Sequence, residues 1–219
     1  MDTERLQSGG DDGAGDRDDI ESLVTDASAG SLPAVEVLLE RYLPGLTAYV
    51  RLRAGPTVRA REEVSDIVQS TCRDILENLD RFQWGGEVGF RRWLYATAMR
   101  RILKKHDFHT AQKRDVGRER SPDLLAGGAA SDGAMPDLGA YVASFSTPSG
   151  AAIAHEEAAR IEAAFDRLSD EQRELIVQSR LMGLSHKQIA EGLGKNEGTV
   201  RVSLHRALIR LAAVLDGGQ

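Results

Sequence analysis

Ten Lys or Arg residues fall within residues 91–120, where only three acids oppose them. The local net charge is therefore +7, although the whole chain carries −6. Negative charge is collected at the N-terminus, where residues 1–30 hold nine acids against two arginines. A concentrated basic stretch is typical of a protein that binds a polyanion such as nucleic acid. An ordinary solvated helix is the alternative, because charge alone does not separate the two readings.

A second set of candidate DNA-binding side chains lies near the C-terminus, on a predicted helix-turn-helix. Its spacing places small Ala190 where two helices touch, Gly194 in the turn and apolar Val200 where it holds the second helix. We expect the inward positions to be Ile189, Leu193, Val200, Leu204, Leu208 and Leu211. The opposite face can meet base edges and phosphates through Thr199, Arg201, Val202, His205 and Arg206. A helical hairpin of purely structural use is the alternative.

Residue patterns for catalysis or metal binding are weak. Cys72 is the single cysteine, which excludes an internal disulfide, and its apolar neighbours predict a core position. His106 and His109 have the spacing of a metal-binding pair, but a third ligand in helical register is missing. The sequence offers no Gly-rich phosphate loop, nucleophile elbow or carboxylate pair. We therefore expect no enzyme, no catalytic residue, no metal site and no cofactor.

The chain also lacks signals for a membrane or for export. No apolar run approaches the roughly 20 residues that cross a bilayer. The acidic N-terminus does not have the features of a signal peptide. We therefore expect a cytoplasmic protein with no membrane span.

Helical patterns in the first half of the chain position the basic stretch. Residues 1–17 lack apolar periodicity and predict a disordered acidic tail. Residues 18–110 predict a helical domain, whose second helix begins near Ser31 and Pro33, kinks at Pro44 and ends at Gly55 and Pro56. A third helix is expected over 62–79, with an apolar stripe that includes Cys72 and Leu76, and a fourth over 90–105.

The second half of the chain predicts a linker followed by another helical domain. Residues 111–149 are rich in Gly, Ala, Ser, Asp and Pro, with transient structure expected near 138–145. Residues 150–219 predict a first helix to about Leu168, capping boxes at Ser169 and Ser185, and an N-cap at Asn196. The predicted fold class is therefore all-α, with two small helical domains joined by a long flexible linker, the C-terminal one a helix-turn-helix.

Two stretches of the sequence resemble one known family. Residues 168–211, LSDEQRELIVQSRLMGLSHKQIAEGLGKNEGTVRVSLHRALIRL, resemble region 4 of extracytoplasmic-function (ECF) sigma factors. Within residues 18–109, LLERYLPGLTAYVRLR, DIVQSTCRDILENLDRF and FRRWLYATAMRRILKKH resemble region 2 of the same family. The resemblance implies a subunit that binds core RNA polymerase, recognises the minus-35 and minus-10 promoter elements and promotes DNA opening. It also allows an anti-sigma factor or other regulator as a partner.

Carried over by position, the resemblance assigns three sets of residues. The minus-35 reader comprises Lys187, Asn196, Thr199, Arg201, Val202, His205 and Arg206. Capture of the minus-10 element and melting of the DNA duplex need positive charge and a pocket for an extruded base. The resemblance assigns these roles to Trp84, Arg91, Arg92, Tyr95, Arg100, Lys104 and Lys105. The polymerase-docking surface comprises Asp66, Ile67, Val68, Gln69 and Arg73. Core packing is the alternative for Trp84 and Tyr95, and the favoured role of Phe90, Trp93 and Leu94.

The sequence departs from the family pattern at three points. Arg100 stands where the family commonly has asparagine, Val202-Ser203 where it commonly has Ser-Arg, and the linker is longer than many.

Two alternative functions are left open by the sequence. One alternative is a stand-alone helix-turn-helix DNA-binding transcriptional regulator, although the sequence shows no dimerisation helix. The other is a protein-interaction adaptor, which explains the acidic tail but not the basic helix.

Overall fold

The computed structural model describes residues 12–81, 85–113, 138–146 and 151–217, and within them the regular secondary structure is helical. The α-helices are α1 Asp12–Ser28, α2 Leu32–Arg59, α3 Val64–Glu77, α4 Gly86–Lys113, α5 Leu138–Ala143, α6 Ala151–Asp166, α7 Asp170–Arg180, α8 His186–Leu193 and α9 Glu197–Asp216. The predicted all-α class is confirmed. None of the described helices combines the length and the apolar character that crossing a membrane requires. Trp84 and most of the predicted tail and linker lie outside the described residues.

Helix α2 is the centre of the N-terminal domain, and α1, α3 and α4 pack against it. The Ser31 side chain accepts a hydrogen bond from the Ala34 amide at 3.4 Å, and Pro33 occupies the first turn, where an amide donor would have no partner in the helix. Apolar positions three to four residues apart then form one buried face. The fully buried side chains of this core include Val35, Leu38, Leu46, Leu52, Ile67, Ile75, Phe90 and Leu94.

The break predicted at Gly55 and Pro56 is present, but the helix resumes after it. Gly55 adopts φ 66° and ψ 168°, a backbone conformation that residues with side chains rarely take. One further turn follows and ends at Arg59, whereas Pro44 keeps helical backbone angles. The break therefore changes the direction of the last turn of α2 without ending the element.

Two helices extend beyond their predicted limits. Helix α1 begins at Asp12, inside the predicted disordered tail, and α4 covers Gly86–Lys113 where the sequence predicts 90–105. The end of α4 is held by Glu62, whose carboxylate accepts a hydrogen bond from Lys105 Nζ at 2.8 Å and pairs with His109 Nε2 at 2.7 Å. Contacts of this kind join residues more than 40 positions apart, so local periodicity does not reveal them.

The C-terminal domain consists of α6 to α9, with α9 in contact with the other three helices. Both predicted capping boxes are present, pairing Ser169 with Gln172 and Ser185 with Gln188. The fully buried side chains include Leu175, Ile176, Ile189, Val200 and Leu211. The prediction that Leu193 is a core residue is wrong: it is 37% exposed, because α8 ends at this residue and the chain turns at Gly194.

The two domains pack against each other, which the sequence did not predict. Helix α2 contacts α6 and α7, and the short α5 lies against α2. Helix α5 falls where transient structure was expected, and it buries Leu138 and Tyr141. The part of the predicted linker that is described is therefore docked on the folded domains.

Candidate nucleic-acid interface

A glycine turn and a side-chain cap fix the start of α9 in the helix-turn-helix. Gly194 is left-handed, with φ 62° and ψ 30°, and the Lys195 amide donates to the Ala190 carbonyl at 2.9 Å. Asn196 Oδ1 then accepts a hydrogen bond from the Gly198 amide at 2.8 Å. The structure therefore gives Asn196, predicted as a DNA reader, the role of N-cap for the helix that carries the other readers.

The outward face of α9 is exposed and cationic. Arg201 and Arg206 are exposed, and neither forms a hydrogen bond or ion pair with the described part of the chain. Thr199, His205 and Val202 are exposed on the same helix, Val202 by 47%. Lys187 is exposed on the preceding helix, α8. Free guanidinium groups on one helix of this motif can donate to phosphate or to guanine in the major groove.

The basic side chains of α4 divide into paired and free ones. Arg101 forms an ion pair with Asp74 of α3, and Lys105 pairs with Glu62, so both charges are directed at the N-terminal domain itself. The hydrogen bond from Lys105 holds the pKa of Glu62 below its usual value. Arg100 and Lys104 are exposed, and Arg100 Nη2 donates to Thr97 Oγ1 of the preceding turn at 2.8 Å. Among the described side chains of α4, the charge that remains available to a polyanion is therefore concentrated at Arg100 and Lys104.

Two arginines near the start of α4 already have partners. Arg91 Nε lies 3.6 Å from Glu87 Oε1, which also accepts a hydrogen bond from the Tyr42 hydroxyl at 2.6 Å. Arg92 Nη2 donates to the Gln188 carbonyl at 2.7 Å, and Gln188 belongs to α8 of the other domain. Arg92, predicted to contact promoter DNA, thus contacts the helix-turn-helix in this conformation.

Tyr95 is buried and packs within the N-terminal domain. Its side chain is 2% exposed, its ring centroid lies 4.8 Å from that of Tyr49, and burial raises its pKa to about 12. A Cβ atom on Gly45 would lie 2.8 Å from the Tyr95 hydroxyl, so the absence of a side chain there permits the close approach. Tyr95 is a packing residue in this conformation, which matches the alternative that the sequence left open.

A cavity of about 330 Å³ lies between the two domains. Its walls come from α2 and α4 on one side, and from α7, α8 and the residues between them on the other. The lining residues are Tyr49, Arg92, Tyr95, Ala96, Met99, Arg100, Leu103, Glu174, Gln178, Met182, Leu184, Gln188 and Gly192. The side of α4 that carries Arg92 and Arg100 therefore faces the C-terminal domain, with Arg92 in contact with it and Arg100 at the wall of the cavity.

Helix α3 presents one exposed stripe, formed by Asp66, Gln69, Arg73 and Leu76 at spacings of three and four residues. Ile67 and Val68, which the sequence assigned to polymerase docking, are only 1% and 6% exposed and belong to the core. Leu76, which the sequence placed on the apolar inner stripe, is 37% exposed. Leu76 was not predicted to be a surface residue, although it lies three positions after Arg73 and so on the same face of the helix.

Among the residues that the sequence considered for metal binding or reactivity, His109 and Cys72 are packed within the N-terminal domain. In the described ranges, no three or more His, Cys, Asp or Glu residues are grouped so that they could hold a metal ion. His109 is buried against Glu62, whereas His106 is exposed. Cys72 is partly buried, and burial raises the pKa of its thiol.

Both domains match known families. Sigma-70 region 2 matches residues 38–112, and Sigma-70 region 4 matches residues 158–211. The chain therefore combines the two domains of a sigma-70 protein, the promoter-recognising subunit of RNA polymerase.

Individual relatives make this classification more specific. The ECF RNA polymerase sigma factor SigF of Caulobacter vibrioides is 30% identical over 166 residues, which cover 74% of this chain and 78% of SigF. The ECF sigma factor SigD of Mycobacterium tuberculosis is 28% identical over 192 residues, 88% of this chain and 82% of SigD. The solved structure of CnrH in complex with the cytosolic domain of CnrY has a TM-score of 0.54 and 21% identity, over 91% of this chain and 99% of CnrH, and supports the fold. The protein belongs to the ECF RNA polymerase sigma factors.

Proposed function

We propose that α9 is the minus-35 reader and that its outward face provides the contacts that set promoter register. The observation that carries this proposal is the exposed, unpaired state of Arg201 and Arg206 on the second helix of a complete helix-turn-helix. An arginine at such a position can donate hydrogen bonds to the edge of a guanine, which gives sequence specificity. It can also bind a phosphate, which adds affinity on any sequence. Val202 contributes an apolar contact, for which a thymine methyl group is the matching partner.

Capture of the minus-10 element belongs, in this proposal, to α4 and the residues just before it. Arg100 and Lys104 supply free positive charge for the separated strand, and Arg92 would join them once it leaves Gln188. Trp84 stays the predicted stacking residue, because a base that leaves the duplex needs an aromatic or apolar pocket. Arg101 and Lys105 hold α4 in place through Asp74 and Glu62.

The polymerase-docking surface is, in this proposal, the exposed stripe of α3. Its polar members, Asp66, Gln69 and Arg73, suit a contact that must also tolerate water before the complex forms. Leu76 adds an apolar group at the end of the stripe. The proposed role is non-enzymatic, because the polymerase performs the synthesis. The proposed location is the cytoplasm. A regulator that sequesters the protein is a further proposed partner, since the fold neighbour CnrH was solved with the cytosolic domain of CnrY.

Run-off transcription with purified core RNA polymerase tests the proposal. Templates would be taken upstream of transcription starts that appear when the protein is overexpressed. We expect a transcript with a defined start only when the protein is added, and a loss of that transcript with the Arg201→Ala, Arg206→Ala double variant. Arg160→Ala is the matched control, because Arg160 is exposed on α6 and pairs only with nearby Glu157 among the described residues.

Two outcomes would contradict the proposal. If no template gives a promoter-dependent transcript, the protein does not direct this polymerase. If the protein alone binds the same duplex tightly and the polymerase adds nothing, the stand-alone regulator is the correct function.

A further inference from the structure

Glu197 is the first residue of α9, and its side chain is exposed beside the face that the proposed function assigns to DNA. The readers expected from the sequence are all neutral or basic, and they do not include this carboxylate. In a helix-turn-helix, the first residues of the second helix enter the major groove and meet the base edges. Glu197 is therefore placed to contact DNA.

The carboxylate of Glu197 is not neutralised by the arginine nearest to it on the helix. Arg201 follows Glu197 by four positions, a spacing that favours an ion pair. At the same spacing, Glu87 Oε1 and Arg91 Nε lie 3.6 Å apart. The side chains of Glu197 and Arg201, however, form no ion pair or hydrogen bond with the described part of the chain. Both charged groups are thus free to meet a partner from outside.

The cation that precedes Glu197 is already paired with another acid. Lys195 lies in the turn between α8 and α9, and its Nζ is 2.5 Å from Oε1 of Glu171 on α7. The positive end of the α9 dipole stabilises a carboxylate at the start of the helix, which explains why an acid is tolerated there. An unpaired negative charge therefore stands next to the arginines of the proposed reader.

Two neighbours determine how Glu197 is presented. Asn196 Oδ1 accepts a hydrogen bond from the Gly198 amide at 2.8 Å, which fixes the first turn of α9. A Cβ atom on Gly198 would lie 3.1 Å from Asn196 Oδ1, so glycine leaves room for this cap. The absence of a side chain at position 198 also lets a base edge approach the backbone closely. Glu197 thus stands in a fixed helical turn with open space beside it.

A carboxylate on a DNA-binding face has one favourable partner among the base edges of the major groove. It accepts hydrogen bonds and donates none, and it is repelled by the phosphates. The donors in this groove are the N4 amino group of cytosine and the N6 amino group of adenine. Adenine also presents its N7 acceptor beside N6, and the lone pair of N7 repels a carboxylate. Cytosine is therefore the base that a glutamate selects.

We propose that Glu197 is a specificity-determining residue of the minus-35 reader, which selects a C·G base pair by accepting a hydrogen bond from the N4 amino group of cytosine. Four residues of a helix rise about 6 Å and adjacent base pairs are about 3.4 Å apart. The C·G pair therefore lies within about two base pairs of the contact made by Arg201. The inference rests on the proposed function, which makes α9 the minus-35 reader.

Exchange of the carboxylate for an amide tests this assignment. Glu197→Gln keeps the size of the side chain and adds a donor, so it can bond to both N6 and N7 of adenine. We expect the unmodified protein to prefer cytosine about ten-fold at one position of the minus-35 element, and Glu197→Gln to prefer adenine at that position. Glu197→Ala should lose the preference there and keep the preferences at the other positions.

Two readouts measure the base preferences. The first is run-off transcription by the holoenzyme on templates that carry each base pair at each position of the minus-35 element. The second is selection of bound duplexes from a random library by the full-length protein without polymerase. A glutamate that only stabilises the start of α9 would change the melting temperature, which thermal unfolding measures, and would leave both sets of preferences as they were.

Glu191→Gln is the matched control. Glu191 is exposed on α8, and its side chain has no hydrogen bond or ion pair within the described ranges. Both Gln variants remove one negative charge from the helix-turn-helix, so affinity for scrambled DNA should rise in each. The base preference should change only in Glu197→Gln.

An unchanged base preference in Glu197→Gln would overturn the inference, whatever happens to the overall affinity. Equal changes in Glu197→Gln and Glu191→Gln would reveal a general effect of charge and would also overturn it. The proposed function can fail separately: the holoenzyme would then give no promoter-dependent transcript, while the duplexes selected by the protein alone still change from cytosine to adenine. Absence of any sequence preference in both readouts would overturn both.

Discussion

Arginine serves two different purposes in this protein, and its partners decide which. Arg51, Arg53, Arg59 and Arg101 each lie within ion-pair distance of a carboxylate, and so act in the architecture. Arg201 and Arg206 have no such partner in the described part of the chain. A guanidinium group is always charged, so an unpaired one on an exposed helix face is available to an anionic partner.

Replacement of Arg206 should separate base reading from phosphate contact. If Arg206 reads a guanine, Arg206→Ala should cost about 1 to 3 kcal/mol at the intended promoter and relax the preference at one base pair. If it contacts phosphate, binding should weaken on every sequence. The slope of log affinity against log salt concentration should then decrease in magnitude by about one. Titration of holoenzyme against promoter and scrambled DNA at several salt concentrations distinguishes these outcomes. Unchanged affinity for both DNAs would remove Arg206 from the interface.

Glu62 should make the stability of the N-terminal domain depend on pH. Its pKa is lowered chiefly by the hydrogen bond from Lys105, so the stabilising interaction is present above the ordinary carboxyl pKa of about 4.5 and is lost as the pH falls through the lower, folded-state value. Glu62→Gln should therefore lower the melting temperature at pH 7, with the difference from the unmodified protein shrinking below about pH 4.5. Thermal unfolding followed by circular dichroism measures this. A difference that stays constant into the acid range would show that charge plays no part.

At the scale of elements, the turn between α8 and α9 depends on one backbone conformation. Gly194 is left-handed and nothing lies within 4 Å of the position that a Cβ would take, so only backbone strain opposes a side chain there. Gly192, two positions earlier in α8, also has open space, but it lacks a positive φ. The two glycines therefore form a matched pair.

Alanine substitutions at these glycines should have opposite effects on the free energy of unfolding. Gly194→Ala should destabilise by about 1 to 2 kcal/mol, the cost of a left-handed L-residue. Gly192→Ala should stabilise by about 0.5 to 1 kcal/mol, because alanine is the better helix former. Urea unfolding of both variants provides the comparison. Equal effects would indicate that the turn does not depend on the left-handed residue.

The α3 stripe should respond to charge reversal without a loss of stability. Arg73 is exposed, so Arg73→Glu should weaken binding to core polymerase about ten-fold while circular dichroism and melting remain unchanged. Glu36→Arg reverses a charge on the exposed side of α2 and should leave polymerase affinity as it was. Fluorescence anisotropy with labelled protein measures both. Equal loss in the two variants would point to a general charge effect rather than to docking through α3.

How far the sequence predicts an element depends on the range of the contacts that define it. The capping boxes at Ser169 and Ser185, the cap at Asn196 and the turn at Gly194 are set by neighbours within four residues, and all were predicted. Helix α4 exceeds its predicted end because Glu62, more than 40 positions away, holds Lys105 and His109. The candidate site divides in the same way: the outward face of α9 follows from helical periodicity, whereas the engagement of Arg92 by Gln188 depends on tertiary packing.

At the scale of the whole molecule, two domains joined by a linker form one packed unit. An Arg residue on the otherwise apolar face of α2 was the available sign: Arg53 follows Tyr49 and Val50 at spacings of four and three, and a charge at such a position needs a partner. The sequence did not say where that partner lies. That partner is Glu174, which lies more than 100 positions further along the chain. The Arg51–Glu162 and Arg59–Asp166 pairs join similarly distant segments.

Packing of the domains should couple their unfolding. In calorimetry, the protein should unfold in a single transition, because loss of one domain exposes the interface of the other. Glu174→Arg should split this transition into two, and Glu156→Arg should not. Two transitions in the unmodified protein would show that the interface contributes too little to link the domains.

The ion pairs of α2 also have a consequence for the time order of synthesis. The N-terminal domain is complete once Lys113 has been added, but Glu174, the partner of Arg53, follows 61 residues later. At about 5 to 20 residues per second, the nascent domain spends roughly 3 to 12 s with this arginine unpaired. This interval ends when α7 leaves the ribosome and docks on α2.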